Sequence, residues 1–81
     1  MKQTIRTSSQ LGMLIQAQRK SKGLSQAVLG VKMGGSQARQ SALELKPERI
    51  KLERLLRTLA ALDLELIIQD RSAAQKTKSE W

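Results

Sequence analysis

Residues 23–44, GLSQAVLGVKMGGSQARQSALE, decide the fold. A serine hydroxyl can accept from a free N–H in the first turn of a helix, so Ser25 reads as an N-cap. The helix after it, from Gln26 to Met33, would turn Ala27, Leu29 and Met33 inward. Gly34-Gly35 ends that helix, because glycine enters the left-handed backbone conformation without steric cost. Ser36 then caps a further helix, from Gln37 to about Leu43. Two short helices about a glycine turn, spaced this way, form a helix-turn-helix.

The charge around this segment is lopsided. Residues 1–43 carry Lys2, Arg6, Arg19, Lys20, Lys22, Lys32 and Arg39 and no acidic side chain, whereas residues 44–81 carry eight cations and seven acids. Almost all of the formal net charge of +8 therefore sits in the half that holds the motif. Cations concentrated like this suit a polyanion, because neutralising backbone phosphates releases condensed counterions. The composition and the motif both point to double-stranded DNA.

Upstream, Thr7-Ser8-Ser9 supplies good N-cap residues, and Leu11, Leu14 and Ile15 follow at helical spacing. That first helix ends at Gly23, with Arg19, Lys20 and Lys22 in its last turn, where cations offset the helix dipole. Downstream, Lys46-Pro47 forces an extended step, since proline disfavours the helical conformation for the residue before it. A fourth helix follows, on which Leu52, Leu55, Leu56, Leu59 and Leu62 keep helical period. This stripe reads as core and dimer interface, and Lys51, Glu53, Arg54 and Arg57 read as its solvated face.

After Asp63 the period falls to two. Leu64, Leu66 and Ile68 alternate with Glu65, Ile67 and Gln69, the pattern of a short strand. One strand alone leaves its N–H and C=O groups unpaired, and the same strand of a second copy is the natural partner. The expected fold is therefore mostly α: a compact four- to five-helix helix-turn-helix domain whose C-terminal strand forms an intermolecular β-ribbon in a homodimer. Leu59, Leu62, Leu64, Leu66, Ile67 and Ile68 are the expected dimer interface. Residues 1–7 form an N-terminal arm, residues 8–70 the DNA-binding and dimerisation domain, and residues 71–81 a polar tail. Trp81, the sole aromatic residue, is a candidate anchor for a partner.

A chain of 81 residues buries only about 60% of its unfolded surface, so association with a second copy is a natural source of stability. Without cysteine or histidine the common disulfide and zinc staples are excluded, and no metal or cofactor is expected. Enzymatic activity is not expected either. Histidine, cysteine and tyrosine are missing, the acids are scattered, and no phosphate-cradling glycine loop precedes a Lys-Ser or Lys-Thr pair. There is no apolar run near the roughly 18 residues a membrane span needs and no signal-peptide-like segment, so the cytoplasm is the expected location.

In a helix-turn-helix the second helix enters the major groove, and its first side chains reach base edges. Here those are Ser36, Gln37, Ala38, Arg39 and Ser41, with Ala42 behind them. The Gln37 amide suits adenine, because it can bond N6 and N7 together. Arg39 suits guanine or a phosphate. Ser25 and Gln26, at the positive end of the preceding helix, suit a phosphate oxygen, and Lys32 adds charge.

The segments LGMLIQAQRKSKGLSQ, SQARQSALE and PERIKLERLLRTLAALDLELII together resemble the HipB-type antitoxins, within the wider Xre and phage-repressor helix-turn-helix family. The resemblance runs from Leu11 to Ile68, about seven-tenths of the chain. It implies operator contacts for Gln26 and Gln37, and a structural ion pair between Arg19 and Glu44. It also implies a homodimer on a palindromic operator that represses its own operon and partners a HipA-like serine/threonine kinase toxin. A plain repressor without a toxin, or an adaptor that keeps the fold but no longer reads DNA, are the rival readings. Two positions depart from the family pattern: Gln40 stands where an aliphatic residue is usual, and Gly30 where alanine is. An unpartnered buried amide costs about 1–3 kcal/mol and a mid-helix glycine about 1 kcal/mol, and Gly34-Gly35 would loosen the turn. A weakly stable motif, ordered by dimer and DNA, is the expectation.

Overall fold

The computed structural model describes residues 2–71. Four helices follow in order, α1 (Ser8–Ser21), α2 (Gln26–Lys32), α3 (Gln37–Leu45) and α4 (Leu52–Ala61), with a single 3₁₀ turn, Pro47–Arg49, between the last two. Helix α1 starts in a capping box: the Thr7 hydroxyl accepts from Gln10 N–H, and the Gln10 side-chain oxygen accepts from Thr7 N–H. Helices α2 and α3 begin at Ser25 and Ser36, whose hydroxyls accept from Val28 N–H and Arg39 N–H. Each cap satisfies a donor that the helix itself leaves free.

Three of the four helices end alike. After α1, α2 and α4 the chain steps into the left-handed region at Gly23 (φ 71°), Gly34 (φ 76°) and Asp63 (φ 61°). In each case the next N–H reaches back across the final turn, from Leu24 to the Arg19 carbonyl, Gly35 to Gly30, and Leu64 to Leu59. These are Schellman closures, which occupy carbonyls that a frayed end would leave exposed. The expectation that Gly34-Gly35 loosens the turn is therefore corrected. The pair ends α2 with two backbone hydrogen bonds, 2.9 and 2.8 Å long.

Gly30 is corrected as well. A Cβ there would collide with the Ser36 carbonyl, so the start of α3 sits directly on the last turns of α2. A helix propensity of about 1 kcal/mol is given up for a close approach that alanine would forbid. Gly12 plays the same part between α1 and α3, where a Cβ would strike the Glu44 carbonyl. Backbone contact at these two points sets how α1, α2 and α3 stack.

The core is small. Ile15, Leu29, Met33, Leu43, Leu59 and Leu62 are buried and draw on all four helices, with Leu11, Leu24, Ile50, Leu55, Ala61 and Leu64 packed around them. At about 1.5–3 kcal/mol for each fully buried aliphatic side chain, these residues supply the main apolar driving force for the fold. Ala27, expected inward, is exposed. Leu59 and Leu62, assigned from the stripe to both core and dimer interface, are buried by their own chain.

Residues 64–70 run on from α4 without regular secondary structure in the single chain. Leu66, Ile67 and Ile68 remain 55%, 58% and 90% exposed there. The expected strand has no partner in its own chain among the described residues. Trp81 and residues 72–80 of the expected tail lie outside them.

Replacing Gly30 by alanine should lower stability by about 1–3 kcal/mol, because overpacking against the Ser36 carbonyl outweighs the gain in helix propensity. Urea unfolding followed by circular dichroism measures it. A stabilised variant would show that the two helices do not meet as described.

Candidate nucleic-acid interface

The site begins with a buried carboxylate. Glu44, near the end of α3, is 8% exposed, and its two oxygens receive four donors. Arg19 from α1 grips both, Nε donating to Oε2 at 2.7 Å and Nη2 to Oε1 at 3.2 Å. The Gln40 amide donates to Oε2 at 2.9 Å from one turn back, and the Gln26 amide donates to Oε1 at 3.0 Å from the start of α2. An ionised carboxylate offers about four acceptor positions, so Glu44 is saturated. Arg19 also donates from Nη1 to the Leu24 carbonyl at 2.7 Å, which ties the α1–α2 turn to the same group.

Charge and burial oppose each other here. Burial raises the Glu44 pKa, but hydrogen bonds from Arg19, Gln40 and Gln26, together with the Arg19 charge, outweigh it and hold the carboxyl below its ordinary 4.5. Glu44 is ionised at neutral pH. Removing one partner from such a pair typically costs about 3–5 kcal/mol, because the other is left charged and unsolvated.

The network reaches the surface through two amides. Gln26 uses its nitrogen on Glu44, and its oxygen accepts from Gln37 Nε2 at 3.2 Å. Gln37 is exposed in the first turn of α3. Ser36, Ala38 and Arg39 are exposed beside it, Ser41 is half-buried, and Ala42 is exposed one turn further on. Ser25 is exposed and Gln26 half-buried at the start of α2, and Lys32 is exposed at its end. The structure thus joins Arg19, Glu44, Gln26 and Gln37 in one hydrogen-bonded set. Ser25 and Ser36 act as helix caps, and Lys32 stands apart from the set.

Three features escaped the reading of the sequence. Gln40 is buried at 1% exposure, yet its amide nitrogen is partnered by Glu44, so only Oε1 lacks a hydrogen bond. The i, i+4 spacing of Gln40 and Glu44 was the available signal. Arg54 is not solvated decoration. It is half-buried, its Nη2 has no partner, and it lies over the α2–α3 turn, where a Cβ on Gly35 would come within 2.5 Å of that nitrogen. The third feature is the packing of α1 against α4, where Gln18 Nε2 donates to the Leu62 carbonyl at 3.0 Å and Lys22 pairs with Asp63 at 2.8 Å. Both α4-side partners lie at its end, which anchors the last helix to the first.

Among the described residues, no helix is long and apolar enough to cross a membrane, and no group of histidine, cysteine or acidic residues is arranged to hold a metal.

No protein-family model matches the chain, and no curated protein sequence does. Solved structures do. A HipB serine-to-alanine variant in complex with an O2 20-mer is 30% identical, with a TM-score of 0.79, and the match covers 88% of this chain and 99% of that one. A HipB–O1–O2 complex is 29% identical at a TM-score of 0.77, covering 85% and 100%. A HipA–HipB–O2–O3 complex is 28% identical at 0.78, covering 86% and 99%.

The Glu44 network predicts an acid response of definite sign. A carboxyl whose pKa is depressed by folding contributes stability that is complete above its unfolded value and is lost as pH falls through the folded one. Thermal unfolding should therefore hold steady down to about pH 4.5 and weaken progressively below it. Asp63→Asn should leave most of this response in place, because the Lys22–Asp63 pair is exposed and such pairs contribute little. An acid transition that vanishes in that variant would assign it to the wrong carboxylate.

Proposed function

This chain belongs to the HipB-type helix-turn-helix family, and we propose that it is a DNA-binding antitoxin, a homodimeric repressor that binds a palindromic operator and complexes a HipA-like kinase toxin. The observation that carries the reading is the first turn of α3. It presents Ser36, Gln37, Ala38 and Arg39 to solvent, with the Gln37 amide held by a network rooted in the fold. The solved HipB structures span nearly their whole length in the match and include complexes with O1, O2 and HipA, which supports both the operator and the toxin as partners.

In this mechanism α3 of each protomer enters the major groove, and two-fold symmetry sets the two helices about one DNA turn apart. Gln37 reads adenine through N6 and N7, and Arg39 reads guanine or braces a phosphate. Ser25 and the backbone N–H of Gln26 at the start of α2 approach a phosphate oxygen, and Lys32 adds to the salt-dependent attraction. Such contacts bind rather than transform, so the role is regulatory and needs no catalytic group. The proposed site of action is the cytoplasm.

The dimer is proposed to form through residues 64–68. Leu66, Ile67 and Ile68 are the uncovered apolar side chains of this segment, and its unpaired backbone would be completed by the same segment of a second copy. A groove between the N-terminal arm and this segment, lined by apolar residues such as Leu11, Leu59 and Ile67 and by charged ones such as Lys2, Arg6 and Glu65, would give that strand a seat.

A mobility-shift assay on the DNA upstream of the chain's own gene tests the readout. Affinity should fall steeply with salt, and Gln37→Ala should cost about tenfold in preference for the operator over random duplex. Equal binding of operator and random duplex by the unaltered protein would leave the adaptor reading instead. For the dimer, Ile67→Pro removes a ribbon donor and should shift sedimentation to the monomer; an unchanged profile would refute the ribbon. Co-purification of a kinase encoded beside the gene separates the antitoxin from a plain repressor.

A further inference from the structure

We propose that Glu44, which is buried beneath the DNA-facing surface, is a positioning residue for sequence reading: it dictates which way the Gln37 amide faces. This rests on the reading of Gln37 as a base-contacting residue given above. An amide is nearly symmetric in shape but opposite in chemistry at its two ends, and adenine accepts at N7 and donates at N6. A glutamine free to turn over presents the mismatched order as readily as the matched one. Something must choose.

The choice is made two hydrogen bonds away. An ionised carboxylate accepts hydrogen bonds and donates none, so Gln26 can face Glu44 Oε1 only with its nitrogen, as it does at 3.0 Å. Turned over, Gln26 would set an oxygen lone pair against the carboxylate. With its nitrogen spent inward, Gln26 offers its oxygen outward, and that oxygen can only accept. Gln37 must then donate Nε2 to it, at 3.2 Å, which leaves Gln37 with Oε1 and one N–H free. Those are the acceptor and the donor that adenine requires. Arg19 and Gln40, which occupy the remaining positions on Glu44, keep the carboxylate charged and in place. The polarity of the whole relay descends from one buried charge.

The test compares full-length variants on a library of duplexes randomised around the operator. Gln37→Ala identifies the base position that Gln37 reads. Gln26→Met, a substitution at a half-buried site that leaves the Arg19–Glu44 pair intact, should flatten the preference at that same position by about tenfold. The double variant should flatten it no further. Glu44→Gln, which can present either end of its amide to Gln26, should do the same if circular dichroism shows it folded, and Gln26→Met carries the test if it does not. Wild-type preference in Gln26→Met, or an equal loss of affinity for every duplex, overturns the inference while leaving the Gln37 readout standing. Unchanged preference in Gln37→Ala overturns both.

Discussion

One carboxylate, Glu44, fixes how the helices stand beneath the surface proposed to read DNA. Its four donors come from α1, α2 and α3, so the group touches each helix of the motif and the one that supports it. A buried charge is a poor source of net stability, because desolvation offsets most of the attraction. Its use is geometric. The acceptor positions of Glu44 are filled only when α1, α2 and α3 stand in one arrangement, and any other arrangement leaves a charge buried without its partners.

That constraint explains features that look like weaknesses when taken alone. Gly12 and Gly30 let α3 come close enough to α1 and α2 for Arg19 and Gln26 to reach Glu44. Gln40 occupies an interior position with an amide because the carboxylate one turn on needs a further donor. The apolar core beneath comprises six buried side chains in the described residues, too few to dictate fine geometry alone. Backbone contacts and the polar network supply the precision, and the core supplies the driving force.

Much of this was legible in the sequence, for reasons that are local. Helix starts are set by Ser25 and Ser36 and helix ends by Gly23 and Gly34, and capping chemistry acts within a few residues. Arg19 and Glu44 were paired through family resemblance. The misreadings have a common cause in tertiary contact. Gly30 is a defect by helix propensity and a fit once the Ser36 carbonyl lies against it, and Arg54 looks solvated until α4 is laid over the α2–α3 turn. Ala27 matched the helical period but sits on the open side of a helix only seven residues long, where one position shifts a face outward. The period-two pattern of residues 64–68 is that of a strand, yet in the single chain these residues take no regular secondary structure.

The central claim is that one charge governs both the packing of the motif and the amide proposed to face the DNA. Side-chain NMR of the free protein tests it, following the Glu44 carboxyl together with the Nε2 amide resonances of Gln26 and Gln37 as pH is lowered. The account predicts that both amides move with the carboxyl at a common midpoint below 4.5. A Gln37 amide that stays still while Glu44 titrates, or a carboxyl that titrates at its ordinary value, would contradict it.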